Sequence, residues 1–303
     1  MAYFLKTIAC LCGASANICM KQYTKKTGDL LNGNYAFNFV IGVIALIFYA
    51  VSGALSDGLT ADASVIPFAI LYGVAYVFGS VGCILAMAHG SLLITLTVCG
   101  MGNLIPIVYS IFGFGETPTP TMIIGMILVF TAAFLLRGTS KKDDASGEKK
   151  KSSPMFWVYL FFGFAGNGVA MLAARLQQYY TPGQNASALL FYGIGIATVI
   201  FFLMMLIFPP RTPDTHSVRD AARTILPALG LALVYGLCNA ASNFLTTITL
   251  SLLPTIVSYM FTKGFGIVLS FATSRFLYRE KLQAVQYVGY GVALVGTILL
   301  TAF

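Results

Sequence analysis

Long apolar runs alternate with short polar breaks along this 303-residue chain. The runs are apolar all round, without the lasting polar face of a surface helix. A membrane-crossing helix needs about 20 predominantly apolar residues. Spans are predicted near 3–21, 36–55, 65–88, 92–113, 119–137, 154–174, 187–208, 224–246, 251–273 and 283–302. No interruption is long enough for a soluble domain. The longest are 138–153 and 209–223.

The pattern repeats. Residues 1–137 and 154–303 each hold five runs, joined by a basic linker at 138–153. Gly13-Ala-Ser-Ala-Asn17 in the first run matches Gly163-Phe-Ala-Gly-Asn167 in the sixth. Glu116 is followed by Gly125, and Glu280 by Gly289, at the same separation. The runs after these glutamates, TPTPTMIIGMILVFTAAFLL and LQAVQYVGYGVALVGTILL, align without a gap. A duplicated unit with an odd number of spans must sit in opposite orientations in its two copies. The expected fold is therefore an all-α polytopic membrane protein, with ten transmembrane helices as two inverted five-helix repeats. That arrangement belongs to secondary transporters, whose substrate sites lie between the halves near the midplane.

Charged residues make up 9% of the chain, against about 25% in a typical soluble domain. The net charge is +8, and its distribution is more informative than its sign. With loops assigned alternately to two sides, fifteen Lys and Arg fall on one side. Lys6 and Arg175 fall on the other, and Lys263 lies inside a span. Basic loops face the cytoplasm, so this bias predicts both termini outside. The run 141–151 then lies near anionic lipid and is not a nucleic-acid site. The opening MAYFLKTIACLCGASA imitates a secretory signal, but its GxxxN pattern recurs internally, which favours a retained helix. The six cysteines lie within apolar runs at spacings unsuited to a metal site. Asn185-Ala186-Ser187 is a formal glycosylation sequon and is given little weight.

Polar side chains in the membrane core are costly and face a cavity or a partner. Lys263 has apolar neighbours on both sides in IVSYMFTKGFGIVLS, too deep for easy snorkelling. It is the leading candidate to anchor a carboxylate or phosphate. Tyr259, Asn103, Asn239 and Asn243 are candidates to orient the substrate. Asn17, Lys21 and Asn167 are further candidates, although asparagines also join helices and Lys21 lies near a span end, like Arg175. Glu116 and Glu280 are expected to be structural, as carboxylates near helix N-termini. Pro106 is expected to kink the fourth span. The ten acidic residues all lie in breaks or at span ends. A site with lysine and no carboxylate favours an anionic or zwitterionic solute.

These features resemble the drug/metabolite transporter superfamily and specifically its EamA-like members. The resemblance is carried by Gly115-Glu116 with Gly125, Glu280-Lys281 with Gly289, and Gly13, Asn17 and Lys21 in the opening helix. Arg279 stands where the family usually has glycine. The resemblance implies alternating access without a cofactor. It also implies cytosolic termini, opposite to the charge bias.

The expected function is secondary transport of a small anionic or zwitterionic metabolite, such as an amino acid, across a plasma (inner) membrane. The alternative is a multidrug or quaternary-cation transporter, which needs an aromatic cage. A non-transporting scaffold or sensor is a third reading. An intramembrane enzyme lacks its catalytic cluster here, and no metal is expected. The expected partners are the solute and the lipid bilayer, with a homodimer left open.

Overall fold

Among the described residues, ten α-helices form on the ten apolar runs, because a backbone away from water must satisfy its own hydrogen bonds. The computed structural model describes residues 1–27, 31–55, 59, 63–89, 95, 98–137, 154–181, 186–207, 229–272, 275 and 284–300. In chain order the helices are α1 (Ala2–Thr27), α2 (Leu31–Leu55) and α3 (Ile66–His89). A 3-10 turn (Met101–Asn103) leads into α4 (Leu104–Gly113), followed by α5 (Pro120–Arg137). The remainder are α6 (Pro154–Tyr180), α7 (Ala186–Ile207), α8 (Leu229–Thr249), α9 (Thr255–Ala272) and α10 (Ala284–Leu299). Pro120 and Pro154 each open a helix, where the missing N–H costs nothing.

Among the described residues, five helices are long and apolar enough to cross a membrane, by length and composition. They lie within α2, α3, α6, α7 and α8, and five shorter apolar helices accompany them. The outer surface is apolar: Leu55 and Phe112 are over four-fifths exposed, and Phe4, Phe161 and Ile207 also point outward. Tyr49, Tyr72, Tyr259 and Lys6 are buried. A soluble monomer rarely exposes so much apolar surface. This distribution fits a polytopic integral membrane protein.

The main helix pairs are α3 with α6, α1 with α8, α2 with α7 and α5 with α10. The α3·α6 crossing shows how small residues permit close packing. A Cβ on Gly166 would lie 2.2 Å from the Gly79 nitrogen, and one on Gly82 would lie 2.4 Å from the Gly163 nitrogen. Ala75 belongs to the same contact through its carbonyl. At α5·α10, a Cβ on Gly125 would meet the Gly296 carbonyl at 2.9 Å.

Candidate functional site

The fourth apolar run is broken, and polar side chains gather at the break. Pro106 has no N–H, so the Gly102 carbonyl loses its normal helical partner. The preceding turn tightens into the 3-10 segment Met101–Asn103, and Pro106 falls in the first turn of α4. The expected mid-span kink is thus a break one turn earlier. Gly102 is pressed onto α6, where an added Cβ would lie 2.7 Å from the Phe164 carbonyl oxygen. Irregular backbone at membrane depth occurs where it is buried in protein or lines a cavity.

Lys263 reaches this break from α9. Its Nζ lies 3.2 Å from the position a Cβ on Gly100 would occupy. Asn103 is half-buried at the N-cap of α4 and makes no side-chain cap bond. Asn167 adjoins Gly102, with its Cβ 3.3 Å from the corresponding Cβ position, and its amide approaches Cys83 Sγ at 3.5 Å. Lys263, Asn103 and Asn167 therefore flank one segment. Tyr259 is buried, and its hydroxyl donates to the Met171 carbonyl at 2.8 Å, tying α9 to α6.

Asn239 and Asn243 lie elsewhere. They line a narrow cleft between α2, α3, α7 and α8, with room for about one water molecule, together with Asn38, Tyr49, Tyr76 and Phe201. Tyr49 donates to the Ala240 carbonyl at 3.3 Å and meets the Asn243 side chain. Tyr76 meets the Asn239 side chain. Among the described residues, none that lines this cleft is charged. The structure thus divides the polar residues singled out in the sequence into a basic group at the α4 break and an amide–phenol group beside α2. The sequence pattern does not set Asn38, Tyr49 and Tyr76 apart, because Asn38 lies near the start of its run and the two phenols are among 16 tyrosines.

A third polar cluster closes one end of the bundle. α6 continues past Arg175 to Tyr180, so this arginine is inside a helix and not at its end. Arg175 Nη2 pairs with Glu116 Oε1 at 2.6 Å, and Nη1 donates to the Leu250 carbonyl. Glu116 also accepts from the Thr255 backbone N–H at 3.0 Å and from the Thr255 hydroxyl at 2.6 Å. Glu116 therefore caps α9 and not the α5 that follows it. Gly115 makes this possible with φ 67°, the left-handed conformation that glycine supplies at helix ends. Glu280, the linker 138–153 and the side chains of Asn17 and Lys21 lie outside the described residues.

Lys6, which the loop count assigns to the less basic side, is 0% exposed on α1. Its ammonium has no hydrogen-bond partner among the described residues, and neither has the buried Ser258 hydroxyl. The sequence signal was available: the repeat sets Lys6 against the apolar Phe156.

No protein-family model matches the sequence. A 77-residue stretch, 25% of this chain, is 27% identical to 68% of the quaternary ammonium compound-resistance protein QacG of Staphylococcus sp. (strain ST94). A chain solved by crystallography superposes with a TM-score of 0.71 at 14% identity, over 99% of this chain and 96% of that one. That likeness concerns the fold alone. Together with the apolar helices, the QacG relative fits a membrane transporter.

Proposed function

We propose that this protein is a secondary transporter of small anionic or zwitterionic metabolites, built as two inverted five-helix halves in the EamA-like manner. The observation that carries the solute class is Lys263, a lysine within an apolar helix aimed at the α4 break. Broken helices form substrate sites in transporters of this architecture. Asn103 and Asn167 supply hydrogen bonds on the other sides of the break.

The helix contacts support the two-half reading. Exchanging each helix for the one five later turns α3·α6 into α8·α1, α3·α7 into α8·α2, and α4·α6 into α9·α1. The same exchange returns α2·α7, α5·α10 and α4·α9 to themselves. Every one of these contacts is present, as a pseudo-two-fold axis between halves requires.

Uptake into proteoliposomes across a panel of amino acids, carboxylates and phosphate esters tests the reading. Lys263→Met should abolish uptake of the transported solute, whereas Lys263→Arg should retain part of it. Unchanged uptake in Lys263→Met would rule out the anchoring role.

A second reading, transport of quaternary cations, is favoured by the QacG relative and by the uncharged Tyr49–Tyr76 cleft. Aromatic faces attract such cations. Stabilisation of the protein by tetraethylammonium but by no anion in the panel, in a thermal-shift assay, would select this reading.

A further inference from the structure

We propose that the crossing of α1 and α9 is an anion subsite, in which Lys6 and Ser258 act alongside Lys263. The solute would then be a small organic dianion, either a dicarboxylate or a phosphate monoester. The proposal rests on the transporter reading and deepens it.

Tyr3, Lys6 and Cys10 follow at i, i+3 and i+7, a single stripe of α1. Both outer members of the stripe touch α9. The Tyr3 and Phe261 rings have centroids 6.0 Å apart, and the Cys10 thiol meets the Thr262 hydroxyl. Lys6 stands between them, fully buried and without a partner among the described residues. One turn before Thr262 on α9 is Ser258, also 0% exposed, its hydroxyl likewise unpartnered. Burying an unpaired ammonium is costly. An unmet ammonium on α1 and an unmet hydroxyl on the helix it packs against are both groups that anionic oxygen satisfies.

The repeat supplies an independent argument. The offset that sets Gly13 on Gly163 sets Lys6 on Phe156 and Cys10 on Leu160. The offset that sets Glu116 on Glu280 sets Val98 on Thr262 and Cys99 on Lys263. Where the stretch just before the 3-10 turn meets α6, Cys99, Phe156 and Leu160 belong to one buried cluster, with Val98 packed against it. The same place in the scaffold is apolar in one half and holds two lysines in the other. Packing is met by the apolar version, so the lysines answer to something else. Lys263 alone matches one negative charge, and Lys6 adds the second.

The test is binding by the purified full chain to two pairs of probes: glutamate against glutamine, and O-phosphoserine against serine. The charged member of at least one pair should bind about tenfold or more tightly than its neutral partner, the range of a charged hydrogen bond. The pair that shows the preference identifies carboxylate or phosphate as the second group. Lys6→Met should erase the preference and raise the melting temperature of the solute-free protein, and Lys6→Arg should keep the preference. Ser258→Ala should weaken it, and serves as the readout should Lys6→Met not be recovered folded. Equal binding of charged and neutral members, no binding by either charged member, or a preference that survives Lys6→Met or, in its place, Ser258→Ala overturns the subsite. If Lys263→Met abolishes uptake while Lys6→Met keeps the preference, the transporter reading stands and the subsite falls. If the wild type takes up no solute in the panel and binds neither charged probe, both fall.

Discussion

Arg175 Nη2 lies 2.6 Å from Glu116 Oε1, joining α6 to the segment between α4 and α5. The two side chains are 12% and 18% exposed. The same carboxylate caps α9 at Thr255, and the same arginine holds the Leu250 carbonyl at the end of α8. Its guanidinium also lies over the Phe114 ring at 5.5 Å. One ion pair thus ties α6 to the segment between α4 and α5 and to the facing ends of α8 and α9.

Breaking this pair should destabilise the protein. Glu116→Ala leaves a largely buried guanidinium unpaired and removes the cap on α9. The expected cost is about 3 kcal/mol, the low end for removing one partner of a buried pair. Glu116→Gln should cost less, because the amide oxygen still accepts from Thr255. The measurement is thermal unfolding in detergent. In a double-mutant cycle, Glu116→Ala and Arg175→Ala should be strongly non-additive; additive losses would refute a shared role.

Glycine substitutions should sort by the space around them. Gly166→Val and Gly82→Val force side chains into the facing backbone at the α3·α6 crossing, and little folded protein should be recovered. Gly230→Ala and Gly291→Ala meet nothing within 4 Å. These should be neutral or stabilising by up to about 1 kcal/mol, the helix preference of alanine over glycine. Folded yield by size-exclusion chromatography, followed by melting temperature, decides this.

The amide–phenol cleft should respond separately from Lys263. Asn243→Ala removes a partner of Tyr49, and Asn239→Ala a partner of Tyr76. If quaternary cations bind there, each change should weaken tetraethylammonium binding by about fivefold, the worth of one displaced aromatic face, while Lys263→Met leaves it unchanged. Isothermal titration of the three variants checks the separation. Parallel loss in all three would mean one continuous site.

Orientation is testable through the basic linker. Fifteen of the 18 Lys and Arg lie in loops assigned to one side, including those of 138–153. The positive-inside rule predicts that a cysteine placed in this linker is shielded from an impermeant thiol reagent in intact cells. Labelling in intact cells would reverse the orientation and agree with the cytosolic termini implied by the EamA resemblance.

The helices were legible because helix formation in an apolar setting is local. Each apolar run needs only its own backbone to satisfy its hydrogen bonds, and among the described residues every run holds a helix with ends moved by a few residues, apart from the fourth, whose main helix begins at Leu104 and not near 92. The disruption at Pro106 was legible for the same reason, and it takes the form of a 3-10 turn just before the helix that holds the proline. The prominence of Lys263 followed from its apolar neighbours in sequence. Beyond the hint that the repeat gives, the burial of Lys6 was not legible, because it depends on which helices pack against α1.

Partnership was not legible. Glu116 was read as belonging to the next helix, but its partners are 59 and 139 residues away. Asn239 and Asn243 were grouped with Lys263 by residue type, yet they face Tyr49 and Tyr76 across a different helix junction. By itself, the amino-acid order determined how many helices form, where small residues permit close crossings, and which buried charge stands out. Only the tertiary structure decided which polar groups share an enclosure and which are left without partners. Helix formation is settled within a few residues along the chain, whereas pairing depends on how helices distant in sequence cross, which no local pattern encodes.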